Sequence, residues 1–565
     1  MLKSIGIGTE LFHKLIEKNY YYVDKTPFIK TIFEDNDVDV MLITRPRRFG
    51  KTLTMSTFYD FLSLDPENPG DTSRQEKWFK DTDILKEDKY KDFRNKYMGK
   101  FPVVFISLKQ VDGDDFISAY GRLATVVYEM YSQFRYLADS NKLYDDEISS
   151  IRKYLDEEYL QDINNNNAIK DSLTRLLKYL NKHHGIKPIL LIDEYDVPIA
   201  KAASKNYYKE MIDVISPFLG NALKTNLDLD RAVLTGCLRA AKESIFTGVN
   251  NFTSYSVLDD RYSRYFGFTQ YEVDELLQIE ALEDKKDIFK EWYDGYVIGS
   301  EAVYCPWDVM NYTADLLYRR NAKPKNYWKN TSGNGIVKEF VGRTDFDVTD
   351  KFERLMNGGT IVQAVSDELS YDILYDSEDN LWSVLLMTGY LTKAEKDENN
   401  ETVALRIPNR EIAGIFQEAV MRHFNDSIDT SLQKNMMAAL WSGDETAAAK
   451  AISDLLWQTI SYMDYHEDYY HAFLAGIFVG MGYGIESNKE RGLGRPDIKL
   501  TDKQNRRILL IEAKKSLSES RMAVDCETAL RQIVEHEYAK GLDEYEVICY
   551  GVAFFRKKAL VKKLA

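Results

Sequence analysis

The chain has 565 residues, 44% of them hydrophobic and 29% charged, with a formal net charge of −16. This length exceeds what one hydrophobic core serves and predicts about three soluble domains, while the charge excludes a uniformly basic nucleic-acid coat. Four cysteines (Cys237, Cys305, Cys526 and Cys549) lie far apart without a C-x-x-C pair, which argues against a disulfide framework or a zinc site.

The opening Met-Leu-Lys-Ser-Ile-Gly has no hydrophobic signal core, and the longest apolar run, around His471 to Ile485, is too short to span a bilayer. The expectation is a cytoplasmic protein with no membrane partner. Val38 to Ile43 is a short apolar run of the buried parallel-strand type. It feeds Thr44-Arg-Pro-Arg-Arg-Phe-Gly-Lys-Thr52, followed by a helix candidate, Leu-Thr-Met-Ser-Thr-Phe-Tyr-Asp-Phe-Leu. Strand, Gly-Lys-Thr loop and helix together are the context of a phosphate-binding loop. In that reading Gly50 lets the backbone approach the phosphates of ATP, Lys51 reaches the β- and γ-phosphates, and the Thr52 hydroxyl holds Mg²⁺. Arg47 and Arg48 complete this nucleotide-binding set, and the helix N-terminus adds amide donors. The usual leading glycine falls at Arg45, and a basic loop that happens to contain Gly-Lys-Thr is the bland alternative.

Further strands are expected at Phe101 to Leu108, at Lys187 to Glu194 and at Arg231 to Thr235. The second of these ends in two carboxylates, where open α/β sheets place their ligands. Asp193 would support Mg²⁺ and Glu194 would polarise an attacking water. After the third strand, Arg239 and Lys242 either neutralise a γ-phosphate or begin a solvated helix. From about Tyr271 to Lys450 the apolar spacing is mainly helical, with Trp292, Trp307 and Trp328 as core aromatics of a lid or connector. A hairpin is expected between Gly389 and Ile407, an arrangement compatible with a winged-helix-like connector.

Near the C-terminus, Glu467 stands close to the start of an amphipathic helix and offers a supporting or metal contact. Glu486 to Glu490 is strand-like. Arg495-Pro-Asp-Ile-Lys-Leu, a polar turn and Ile-Leu-Leu-Ile-Glu-Ala-Lys514 then predict a hairpin with Asp497 on one strand and Glu512 and Lys514 on the next. Strand alternation points Glu512 and Lys514 to one face and Ala513 to the other. Two converging carboxylates suit Mg²⁺, and a neighbouring lysine can orient or help deprotonate a water, which is the chemistry of metal-dependent phosphodiester cleavage. An inert Glu512–Lys514 salt bridge is the bland alternative. Ala529 to Ala539 predicts a helix that places Gln532 against the site, while His471 and His536 read as local packing residues. From Ser487 to Ala565 there are seventeen Lys/Arg against twelve Asp/Glu, a locally basic end suited to a phosphate-bearing partner.

Several motifs in combination resemble a known family. Ile-Gly-Ile-Gly-Thr-Glu-Leu-Phe at the start, Tyr21 to Lys30, Arg-Pro-Arg-Arg-Phe-Gly-Lys-Thr, Leu191 to Asp196, Leu238 to Asn251 and Trp292 to Tyr296 are similar to the AAA-ATPase-like family of bacterial proteins. Its members are commonly fused to a C-terminal nuclease module of the PD-(D/E)XK superfamily. The resemblance covers nearly the whole chain and implies that the Arg45 position is commonly not glycine. It also carries Glu486, Asp497, Glu512, Lys514 and Gln532 over as the nuclease core. The resulting expectation is an α/β multidomain protein. Residues 1–270 would be a P-loop NTPase parallel-sheet domain, 271–450 a mainly helical connector, and 451–565 an α/β restriction-endonuclease-like domain. ATP and Mg²⁺ are the expected cofactors, and nucleic acid, DNA more than RNA, is the expected partner of a chain that could oligomerise. Two other classes stay open: a nucleotide-switched interaction protein that binds without cleaving, and an ATPase acting on protein partners.

Overall fold

The computed structural model describes residues 3–34, 38–240, 252–328, 349–356, 358–369, 377–394, 402–427, 430–459, 484–487, 496–502, 505–542 and 544–564, with 337, 371, 374, 470, 474 and 478 between them. The chain divides into two compact units. Unit 1 is Met1–Trp328 with Thr360–Ile412, and unit 2 is Lys329–Gly359 with Ala413–Ala565.

The strands of unit 1 begin with β1 (Val40–Thr44), β2 (Val103–Ser107), β3 (Ile189–Asp193), β4 (Arg231–Gly236), β5 (Arg239–Ala240) and β6 (Phe252–Tyr255). Five of them form an all-parallel sheet in the order β2-β3-β4-β1-β6. β1 and β3 are buried at every position, as near-continuous apolar strands are when helices cover both faces. Because all strands run the same way, the loop after β1 and the carboxylates after β3 come to one C-terminal edge, separated by β4 alone. The helix Lys51–Leu62 follows β1 directly and buries Met55, Phe58, Phe61 and Leu62.

The remainder of unit 1 is mainly helical, with short β pieces. β7 (Tyr296–Ile298) and β8 (Glu301–Val303) form a hairpin. β9 (Ile361–Gln363), β11 (Thr392–Lys393) and β12 (Val403–Arg406) form an antiparallel sheet, while β10 (Glu368–Leu369) pairs in parallel with β5. The hairpin expected between Gly389 and Ile407 is thus present as β11 and β12, with β9 joining from outside it. The helix Gln270–Ile279 starts at a capping box, in which Thr269 and Glu272 satisfy each other's backbone amides. Its apolar residues Val273, Leu276 and Leu277 pack with Tyr21, Phe289, Tyr293 and Tyr312 in one core.

Unit 2 is built on a mixed sheet in the order β13 (Gly484–Ser487), β14 (Ile498–Asp502), β15 (Arg507–Lys515), β16 (Glu546–Phe555) and β17 (Lys558–Lys563). All neighbours are antiparallel except β15 and β16, which run parallel and are joined through the helix Met522–Glu535. Ile508, Leu510 and Cys549 pack with Ile533 of that helix on one face. On the other face the Tyr550 hydroxyl donates to the Leu440 carbonyl, and Tyr470 stacks on Phe554 with centroids 4.3 Å apart. Among the described residues no helix is long and apolar enough to cross a membrane.

Candidate functional site

In unit 1 the phosphate-loop candidate is shaped by its backbone. Gly50 adopts φ +82° and caps the helix that begins at Lys51; a side chain would have space there but not the conformation. Lys51 is buried, and its Nζ donates to the carbonyls of Arg45 and Pro46, both at 2.9 Å, and lies 3.7 Å from Cys237 Sγ. Thr52 Oγ1 donates to Asp193 Oδ2 at 2.7 Å, and Thr235 Oγ1 donates to the other carboxylate oxygen at 2.6 Å. A hydroxyl and a fully buried carboxylate side by side at the start of a helix are the donor set for a hard divalent cation such as Mg²⁺. Glu194 follows with a left-handed φ of +52°, and burial raises its carboxyl above the usual range.

The structure gives Arg45 a different task from the glycine it replaces. Its backbone N–H continues the β1–β4 ladder by donating to the Gly236 carbonyl. Its guanidinium is fully buried, and Nη1 donates to the carbonyls of Thr44, Tyr255 and Ser256 at 2.8–3.0 Å, tying the ends of β1 and β6 together. Burial lowers its pKa to about 10, so it stays cationic at neutral pH. Arg47 is exposed. The Arg48 guanidinium sits 4.2 Å from the Trp307 ring, and its Nη1 donates to the Tyr327 carbonyl at 3.0 Å. Arg239 pairs with Glu368 at 2.8 Å and with Asp367 at 3.9 Å. Lys242 lies outside the described residues.

Reading the sequence missed three residues of this edge. Thr235 ends the apolar run of β4 and braces Asp193. Asp196 accepts the amides of Cys237 and Leu238 and the Tyr371 hydroxyl, which fixes the loop after β4. Gly236, at the end of β4, leaves room for the loop after β3, since a Cβ there would come within 2.6 Å of the Tyr195 ring. The signals were present as a polar residue closing an apolar strand and a third acid in Leu-Ile-Asp-Glu-Tyr-Asp.

In unit 2 the register of β14 and β15 brings Asp497, just before Ile498, beside Glu512. The two are interlocked through backbone: Asp497 Oδ2 accepts the Ala513 N–H at 2.8 Å, and Glu512 Oε2 accepts the Asp497 N–H at 3.3 Å. Lys514 Nζ lies 3.3 Å from Glu512 Oε1. Glu512 is 1% exposed, and burial together with the nearby Asp497 charge pushes its carboxyl up to about 7, against the pull of Lys514. Two neighbouring carboxylates, Glu512 buried and Asp497 half-buried, fit a divalent cation, which would replace the repulsion with attraction. Among the described residues no group of three or more His, Cys, Asp or Glu side chains is placed to hold a metal, so these two acids are the candidate donors.

Glu486 pairs by its backbone with Lys499 on β14, and its side chain is outside the described part. Glu467 and His471 lie outside the described residues. Gln532 is half-buried on the helix Met522–Glu535, and His536 Nδ1 is 3.0 Å from the Tyr538 hydroxyl. Gly551 pairs with Glu512 across β15 and β16, and a Cβ there would come within 2.4 Å of the Cys526 carbonyl. This lets the helix lie directly against the carboxylate row, a requirement with no local sequence signature.

A parallel sheet with a Gly-Lys-Thr loop and an Asp-Glu pair at one edge in unit 1, and a mixed sheet bearing Asp and Glu-x-Lys on paired strands in unit 2, define an α/β protein of the P-loop and restriction-endonuclease-like classes. Comparison with known families agrees. Residues 6–246 match the family of predicted AAA-ATPases, and residues 465–564 match the PD-(D/E)XK nuclease superfamily. The chain carries an AAA-ATPase-like domain and, at its C-terminal end, a PD-(D/E)XK nuclease superfamily domain. It is also 24% identical over 514 residues to an uncharacterized protein in the vnfD 5′ region of Azotobacter chroococcum mcd 1, an alignment that spans 88% of this chain and 86% of that protein.

Proposed function

We propose that the chain is a nucleotide-dependent, metal-dependent nuclease: an ATPase in unit 1 whose nucleotide state gates phosphodiester cleavage in unit 2. The observation that carries the nuclease reading is the row of Asp497, Glu512 and Lys514, in which buried Glu512 accepts the Asp497 N–H and Asp497 accepts the N–H of Ala513, the residue after Glu512. A Mg²⁺ ion bound by Asp497 and Glu512 would supply Lewis-acid polarisation of a phosphoryl oxygen and a lowered water pKa. Asp497 and Glu512 would hold the ion, and Lys514 would orient the attacking water. Gln532, Glu486 and Glu467 serve as supporting residues around the row.

In unit 1, Gly50 and the helix amides receive the phosphates of ATP, and Lys51 exchanges its two carbonyl partners for the β- and γ-phosphates. Thr52 and Asp193 would hold Mg²⁺, and Glu194 would polarise the water. Arg47, Arg48 and Arg239 supply positive charge, Arg239 after leaving Glu368 and Asp367.

Coupling is supported by the way this loop is wired inside unit 1. Arg48 donates to the carbonyl of Tyr327, one residue before the chain passes from unit 1 to unit 2 at Trp328. Trp328 is held in turn by Glu411, which accepts its N–H at 2.9 Å, and by Asp308, which accepts its indole N–H at 3.1 Å. Glu411 itself lies one residue before the second passage, at Ile412. Burial raises both carboxyls, so this pair keeps a proton at neutral pH. A shift of Arg48 on nucleotide binding therefore acts on two chain crossings at once.

The nuclease half is tested by a gel assay of the purified chain on single- and double-stranded DNA and RNA, with Mg²⁺, Mn²⁺ or EDTA. Cleavage that needs the metal and disappears in Asp497→Ala, with the fold unchanged by circular dichroism, is the expected result. Binding without cleavage under every condition would instead favour a nucleotide-switched interaction protein.

A further inference from the structure

One exposed aromatic side chain in unit 2 belongs to neither site. Of the seven tryptophans, six are buried or half-buried, and Trp457, on the helix Glu445–Thr459, is 64% exposed. Leaving an indole in water forgoes one of the largest burial gains open to any side chain, so its surroundings bear on its use. Those surroundings are cationic. Lys557 Nζ stands 4.9 Å from the centre of the Trp457 ring. Lys557 belongs to the turn between β16 and β17, flanked by Arg556 and Lys558. Arg556 takes the left-handed φ of +53° that a small or amide residue adopts more readily, and Lys558 is engaged by Glu519 at 2.7 Å. The helix is fixed to the hairpin through Ser453 Oγ, which accepts the Ala559 N–H at 2.9 Å. Ser453 and Trp457 are four residues apart and so lie on one side of the helix.

The register then sets this cluster against the carboxylate row. β15 and β16 run parallel, with Glu512 opposite Gly551, Lys514 opposite Ala553 and Lys515 opposite Phe554. The basic turn thus closes the same end of the sheet at which Lys514 projects. At the rise of an extended strand, the path from Gly551 to Arg556 is about 16 Å, a handful of nucleotides. Trp457 belongs to a helix covering the sheet face opposite Glu512, at this same end.

We infer that Trp457 and the turn Arg556-Lys557-Lys558 form a stacking platform for single-stranded nucleic acid that leads a strand across the end of the sheet to the Asp497–Glu512 row. This rests on the nuclease reading above and adds the class of substrate. An open indole accepts the face of an unpaired base, which a duplex keeps inside its own stack, and the cations beside it take the phosphates. The shared chemistry is an unpaired base on a phosphodiester backbone, so DNA and RNA strands are both candidates.

The test is fluorescence anisotropy of the full chain in EDTA, which prevents cleavage, with labelled homopolymers of dT and of rU and with a duplex of equal length. Trp457→Ala is expected to weaken single-strand binding about tenfold and to leave duplex binding within about twofold, while Trp457→Phe retains most of the affinity. Lys557→Ala should lower the slope of log affinity against log salt by about one. The dT and rU arms separate the two kinds of strand. Single-strand binding unchanged in Trp457→Ala overturns this inference while leaving the nuclease reading in place. A wild-type chain that binds no nucleic acid at all overturns both.

Discussion

Glu512 and Arg45 are both buried charged residues, and they make opposite predictions. The Glu512 carboxyl, held up to about 7 in the folded chain, ionises at its ordinary lower value once unfolded. A raised acid pKa means that the stability contribution is fully present below the unfolded value and is lost as pH rises toward 7. Glu512→Gln removes that penalty. In chemical denaturation the variant should gain on the wild type by roughly 2 to 3 kcal/mol between about pH 4.5 and pH 8, and saturating Mg²⁺ should narrow the gap by stabilising only the wild type. A gap independent of pH would mean that Glu512 is not desolvated as described. Arg45 behaves in the other sense. Restoring the motif's glycine by Arg45→Gly strands the carbonyls of Thr44, Tyr255 and Ser256 and should cost about 3 kcal/mol or more, read as a lower urea midpoint.

The elements of both sheets were legible from the sequence because their signals are local. Val38 to Ile43, Lys187 to Glu194 and the Asp497 to Lys514 hairpin are short apolar runs closed by turn residues or charges, and they fold as β1, β3 and the β14–β15 pair. What escaped depends on distant partners. The reason for Arg45 lies in carbonyls more than two hundred residues away, and the bracing of Asp193 by Thr235 crosses from one strand to another. β9 joins β12 from outside the hairpin for the same kind of reason. Gly551 is the clearest case, since nothing around it in sequence announces that a helix backbone passes over it. Gly551→Ala should push the helix Met522–Glu535 off the carboxylate row, costing about 1 to 3 kcal/mol in a thermal melt and lowering metal-dependent cleavage more than the stability loss explains. Gly50→Ala has open space but the wrong backbone hand. It should cost about 1 kcal/mol or slightly more and weaken binding of a fluorescent ATP analogue.

At the scale of the whole molecule, an AAA-ATPase-like domain and a PD-(D/E)XK superfamily domain are carried by one acidic chain whose positive charge gathers toward its C-terminal end. The chain passes between its units after Trp328, after Gly359 and after Ile412, so neither unit is a simple appendage of the other. Two of those crossings are anchored by residues tied to the phosphate loop, through Arg48, Asp308 and Glu411. That wiring is the physical basis for expecting the nucleotide state to reach the nuclease row. The most direct test compares metal-dependent cleavage by the wild type and Lys51→Ala, each with and without ATP. Lys51 is chosen because its present partners are two carbonyls of its own loop. The account predicts that ATP changes the wild-type rate and leaves the rate of Lys51→Ala unaltered, with both proteins equally folded. Equal cleavage by the two proteins under all conditions, with no response of either to ATP, would contradict it.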